Sequence, residues 1–164
     1  MHPPVGPAWL IWLELSGLGE VMRKSAWMYP IVEIVHIVGF VILVGAALMF
    51  DLRVLGLGRA LPVRALARHL LPWSWAGLLL VVPAGLMMFS AHATEFATNP
   101  ALLLKLGLLA TAAANVAFFH LGPYRSAAAW DDARPAPGSA RVAAGLSIVI
   151  WIAVISCGRL IAYF

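Results

Sequence analysis

Four stretches of this chain stay apolar for the length of a bilayer crossing, and short polar stretches divide them. Residues 27–50, 70–91, 100–121 and 142–164 each hold enough apolar side chains for a transmembrane helix, which needs about 20. Residues 7–22 differ. Trp9, Leu10, Trp12, Leu13 and Leu18 share that segment with Glu14 and Glu20. It is too short and too polar to span, and predicts a helix lying along the outer surface with its tryptophans in the headgroup layer. Trp27, Trp73, Trp75 and Trp130 mark the expected interfaces. In lipid, backbone groups must be satisfied within their own helix. The pattern therefore predicts an all-α integral membrane four-helix bundle with an N-terminal interfacial amphipathic helix, the whole chain 1–164 forming one transmembrane domain.

Proline and glycine punctuate these helices. Pro62 starts an amphipathic lead-in over residues 63–71, and Pro72 opens the second span proper. Pro83 lies deep in that span, where it removes a backbone donor and predicts a kink. Asn99-Pro100 reads as a cap followed by proline at the first helical position. Gly122-Pro123 ends the third helix, and residues 131–139 form a polar turn. Gly107, Thr111 and Asn115 recur at four-residue spacing, a pattern that lets helices approach closely, here by packing within the bundle.

Composition sharpens this picture. The chain is 63% hydrophobic and 11% charged, far too apolar for an ordinary soluble domain. Its formal net charge of +4 is no nucleic-acid signature, since no basic soluble surface exists to lie on a phosphate backbone. The lone Cys157 forms no intrachain disulfide, and the start of the chain does not read as a secretory signal. Seven arginines, Arg53, Arg59, Arg64, Arg68, Arg125, Arg134 and Arg141, fall around two of the connections; only Arg23 and Lys24 argue the other way. The positive-inside rule puts the arginine-rich loops in the cytoplasm, facing anionic lipids, and both termini outside. That is the topology of a multi-pass protein of a bacterial inner membrane.

Candidate chemistry lies in the polar groups of the spans. A charge within a bilayer costs roughly 2.5–3.5 kcal/mol even on mild scales, so it persists when paired or used. Glu33 lies about 9 Å of helix rise in from Trp27, and Lys105 and Arg159 fall at similar depth. Two readings stand: an ion-pair network that fixes packing, or a site for an anionic group such as a propionate. Lys105 and Arg159 have the further option of snorkelling to the outer surface.

Four histidines accompany them. His69 and His120 match in depth at the cytoplasmic edge, and such a pair can hold a haem edge-on. His36 shares a helix face with Glu33. Reflected across antiparallel spans it stands opposite about residue 83, roughly 13 Å from the depth of His92, so His92 is a poor partner. Helix-dipole and lipid-phosphate roles account equally for His120 and His69. Copper lacks a Met/His run, since Met87 and Met88 are adjacent and face apart. No nucleophile with a base at readable spacing supports hydrolysis.

Tyr29-Pro30-x-x-Glu33-x-x-His36-x-x-Gly39, followed by Asp51-Leu52-Arg53-x-Leu55-Gly56, resembles a family of small uncharacterised bacterial four-helix membrane proteins. Leu71-Pro72-Trp73, Asn99-Pro100 with Lys105, Asn115 with His120, and the run from Gly158-Arg159 to Phe164 carry the same resemblance. It implies fold and topology and brings no settled function. A looser architectural likeness is to membrane cytochromes b.

Three functions follow as expectations. The first is a b-type cytochrome-like electron-transfer protein binding haem b, with iron ligands among His36, His69 and His120, and with Lys105 and Arg159 available to propionates. The second is a non-enzymatic accessory subunit of a larger respiratory or photosynthetic membrane complex, or a homo-oligomer. The third is a small anion or proton carrier using Glu33, His36, Lys105 and Arg159.

Overall fold

A computed structural model of the chain describes residues 4–131 and 134–164. Residues 1–3, with His2, and 132–133 of the polar turn lie outside the described residues. The elements are all helical: α1 (Ala8–Glu14), α2 (Gly17–Lys24), α3 (Met28–Leu55), α4 (Val63–Ala91), α5 (Ala93–Phe96), α6 (Pro100–Leu121) and α7 (Gly138–Leu160), with 3-10 turns at Pro123–Ala129 and Ile161–Tyr163. Four helices, α3, α4, α6 and α7, are long and apolar enough to cross a membrane. Their exposed Ile34, Val41, Leu79, Leu104 and Val149 are what a lipid-facing surface requires.

The predicted surface helix is two helices. Ser16 breaks it: its hydroxyl donates to the Leu13 carbonyl (2.6 Å) and accepts from the Gly19 amide (3.2 Å), closing α1 and capping α2. Both basic residues of α2 have structural partners. Arg23 donates to the Ala91 carbonyl at the end of α4 (2.8 Å), complementing that helix's negative terminus, and Lys24 pairs with Glu20.

Glu14 joins α1 to α5. Its Oε2 accepts from both the Thr94 backbone amide (2.9 Å) and the Thr94 hydroxyl (2.7 Å). Partial burial works against ionisation, but these donors, with Arg23 and His92, hold the carboxyl below its ordinary value of 4.5. A depressed folded value means the clasp is fully present above the unfolded pKa and is lost as pH falls through the folded one. Hydrogen-exchange protection of the Thr94 amide is therefore expected near neutrality and should fade in acid. Equal protection in Glu14→Gln at neutral pH would show that the ionised carboxyl is not what holds it.

α3 and α4 form the tightest pair, joined by the left-handed Gly56 (φ 111°) after the last turn of α3. A Cβ on Gly77 would lie 2.7 Å from the Gly39 carbonyl oxygen and 2.8 Å from the Leu43 amide, so the two backbones touch here. The small-residue stripe expected to pack lies elsewhere and largely does not pack: Gly107 has nothing within 4 Å of a built Cβ. Asn115 is the exception, donating to the Ala143 carbonyl of α7 (3.0 Å). α3 also packs along α7, and α7 along α6. Among the described residues α4 and α6 share no extended contact, and α6 is the most exposed span.

The core falls in three layers along the helix axes. Met22, Val32, Ala84 and Ala91 pack with Met87 and Met88 at the Trp27 end, which gives those methionines an apolar role. Val44, Ala112, Ile150, Trp151 and Val154 fill the middle. Val54, Val63, Phe119, Ala140 and Trp130 close the arginine-rich end. Trp130 is thus buried, not an interface marker, and donates to Ser126 (3.2 Å); Trp27, Trp73 and Trp75 are exposed.

Pro72 does not open a helix. α4 runs unbroken through both Pro72 and Pro83. Each proline withdraws only one ladder donor; close by, the Ser74 hydroxyl donates to the Leu70 carbonyl (3.2 Å) and His36 donates from α3 to the Val81 carbonyl (3.0 Å). Asn99 caps α6 as expected, accepting from the Ala101 and Leu102 amides, and its Nδ2 donates to Ile161, tying the last turn of the chain to α6.

Candidate functional site

His36 projects from α3 onto α4 and is half-buried. Its Nδ1 lies 3.0 Å from the Val81 carbonyl oxygen. A carbonyl only accepts, so Nδ1 carries the proton, and in the neutral ring Nε2 keeps its lone pair. Gly85 makes room for the ring: a Cβ there would lie 3.1 Å from His36 Cε1. Val81 and Gly85 bracket Pro83, the position the depth argument placed opposite His36. Ser156 of α7 bonds the Ile152 carbonyl of its own helix (2.9 Å).

Glu33 and Lys105 both lie within electrostatic range of His36. Lys105 reaches from α6 to α7, where its Nζ is 3.5 Å from a Cβ built on Gly158, with the buried Cys157 beside it. Glu33 is exposed. Arg159 stands apart: its guanidinium donates to the Tyr163 hydroxyl (2.7 Å) and lies 4.9 Å from that ring's centre, at the exposed end of α7. Among the described residues no ion pair joins Glu33, Lys105 and Arg159. Among the described residues no hydrogen bond or ion pair joins His36 to Glu33 or Lys105, and Arg159 is taken up by Tyr163.

At the opposite end His120 holds its Nδ1 3.0 Å from the Val116 carbonyl of its own helix, which also leaves Nε2 open. Its ring lies 5.3 Å from Tyr124. Tyr124 lines a cleft with Arg64, Arg68 and Arg125. His69, the residue after Arg68, is exposed. His92 is exposed at the end of α4, its Nδ1 3.9 Å from Glu95. Among the described residues no three His, Cys, Asp or Glu side chains converge to hold a metal ion.

Two residues carry weight that sequence reasoning missed. Asp51, only 8% exposed near the C-terminal end of α3, has Ser147 of α7 as its polar neighbour, and its Oδ2 has no hydrogen-bond partner. Arg53, 3% exposed, donates to the carbonyls of Leu61, Arg59 and Asp131, and so binds the α3–α4 connection to the start of the polar turn. Their place in the Asp51-Leu52-Arg53 run was the available signal. One turn of helix separates "at the end of a span" from "in a loop", and residue spacing does not decide between them.

Fold and site define a multi-pass, all-α membrane protein with His36 bridging two spans toward one end and an arginine cluster at the other. The chain belongs to a family of unknown function, DUF6644, whose model matches residues 9–164. No curated protein and no solved structure matches it.

Proposed function

We propose that the protein is a membrane haem-binding electron-transfer protein of b-type cytochrome character. The observation that carries this is His36. A ligating histidine donates its second ring nitrogen to a fixed acceptor, which sets tautomer and orientation. His36 has that arrangement, with Nδ1 bonded to Val81 and, among the described residues, no hydrogen bond at Nε2, and Gly85 lets the ring pack against α4. The residues therefore fit an iron ligand. Lys105 would balance a propionate, and Glu33 would modulate the local charge. His120, with Nδ1 on Val116, and His69 would serve a second group at the arginine-rich end. Haem b would supply one-electron chemistry; the chain contributes ligand orientation, a counter-charge and exclusion of water. Protein purified from haem-replete cells should contain iron and extractable haem in fixed ratio to polypeptide. Background levels of both would end the reading.

A second reading has its own support. α6 is the most exposed span and shares no extended contact with α4, which leaves an apolar flank suited to lateral packing in a larger respiratory or photosynthetic membrane complex or a homo-oligomer. Gentle extraction from native membranes should then yield a stoichiometric assembly; a solitary monomer counts against it.

We also infer a bacterial inner membrane with the arginine-rich end in the cytoplasm and both termini outside. Arg23 and Lys24, which oppose that orientation by count, are engaged with Ala91 and Glu20. Single cysteines at Thr98 and Ser139 should label from opposite sides.

A further inference from the structure

Two hollows at the arginine-rich end differ in what they can hold. One, walled by Arg53, Arg59, Arg134 and Arg141, has a volume of only 10 Å³, room for about one water. The other has a volume of 390 Å³, within the roughly 300–1,000 Å³ of small-molecule sites. It is lined by Arg64 and Arg68 on the first turns of α4, by Tyr124 and Arg125 on the 3-10 turn, and by two alanines. Arg64 and Arg68 stand one helical turn apart, a like-charge spacing that is unfavourable unless something answers it. Among the described residues the lining contains no carboxylate. The adjacent Asp131 accepts from the Arg64 backbone amide (2.8 Å), and among the described residues it pairs with none of these guanidiniums.

Depth identifies the missing charge. Arg68 precedes the exposed Trp73 by about 7 Å of helix rise. The headgroup layer on each face of a bilayer is about 5–7 Å thick. The guanidiniums therefore stand at the level of lipid phosphates. Guanidinium forks suit a group with several acceptor oxygens, and basic pockets at this level take phosphorylated headgroups. The Tyr124 ring, flanked by His120 at 5.3 Å and Phe119 at 5.7 Å, is held in place as part of the wall.

We propose that the cleft between the start of α4 and the 3-10 turn, lined by Arg64, Arg68, Tyr124 and Arg125, binds a phosphate group, either of an anionic phospholipid or of a soluble phosphate. The proposal does not rest on the haem reading, and a group held by His69, next to Arg68, and His120, against Tyr124, would stand beside the same cleft.

The test uses the full chain in nanodiscs of phosphatidylcholine, with phosphatidylglycerol or inorganic phosphate added and binding read by native mass spectrometry. Phosphatidylglycerol retained over phosphatidylcholine, unaffected by inorganic phosphate, assigns the site to lipid; inorganic phosphate bound in plain phosphatidylcholine discs assigns it to a soluble phosphate. Arg68→Gln/Arg125→Gln should lower retention at least about tenfold. Arg134→Gln/Arg141→Gln removes the same charge from the other hollow and should change it little. Equal losses in the two pairs would mean diffuse attraction and overturn the site. Wild-type protein that prefers neither ligand also overturns it, whether or not the variants fold.

Discussion

Gly77→Leu is expected to destabilise the protein by roughly 3 kcal/mol, the upper range for forcing bulk into a packed interface. The new Cβ would stand 2.7 Å from the Gly39 carbonyl oxygen and 2.8 Å from the Leu43 amide. Both are backbone atoms of α3, so no rotamer change relieves the clash, and the helices must separate. Separation would also pull Val81 from His36, since that bond crosses the same pair of helices. Gly107→Leu and Gly45→Leu are the matched controls, because neither site has an atom within 4 Å. Leucine is the better helix former, by about 1 kcal/mol, so these should be neutral or mildly stabilising. Thermal or denaturant unfolding in one detergent compares all three. Equal behaviour at positions 77 and 107 would mean that α3 and α4 do not meet at the glycines.

His36→Gln should separate structure from function. Its side-chain amide retains a donor for the Val81 carbonyl, so folding and yield should fall little, by about 1 kcal/mol at most. It offers no imidazole Nε2, so haem held at that end should be lost while haem at the His69/His120 end remains. His120→Gln should show the reverse pattern. A His36→Gln protein with unchanged haem content and spectrum would make His36 a packing residue that bridges two helices at a proline.

The sequence announces the four spans because bilayer length and hydropathy are one-dimensional properties. α6 begins at Pro100 and ends at Leu121, as the Asn-Pro and Gly-Pro signals require. Depth is also nearly one-dimensional, and for that reason His36 could be placed opposite position 83 before any fold was known. Azimuth is not. The face each residue presents depends on which helices meet, so the Gly107–Thr111–Asn115 stripe looked like a packing seam while the working glycines, Gly39 and Gly77, lay on two other helices. Arg159 is placed beside Lys105 by count alone, whereas its guanidinium bonds the Tyr163 hydroxyl. Proline misled for a different reason. Losing one ladder bond ends a helix only if the continuing turns gain nothing, and the apolar flanks of Pro72 gain enough from helix continuation. Arg53 counts with the loop arginines by sequence because the extra turns of α3, to Leu55, come from packing against α7 and from the Gly56 cap, neither of which shows in hydropathy.

The central claim is that an oriented histidine between α3 and α4 ligates haem iron. A reduced-minus-oxidised visible spectrum of the purified, haem-replete wild type tests it most directly, with the His36→Gln protein run alongside. A Soret band and sharp α-band are expected in the wild type, with loss or displacement of one component in the variant at equal protein concentration. A wild-type spectrum with no Soret absorbance, from protein that is folded and was expressed with haem in excess, would contradict it.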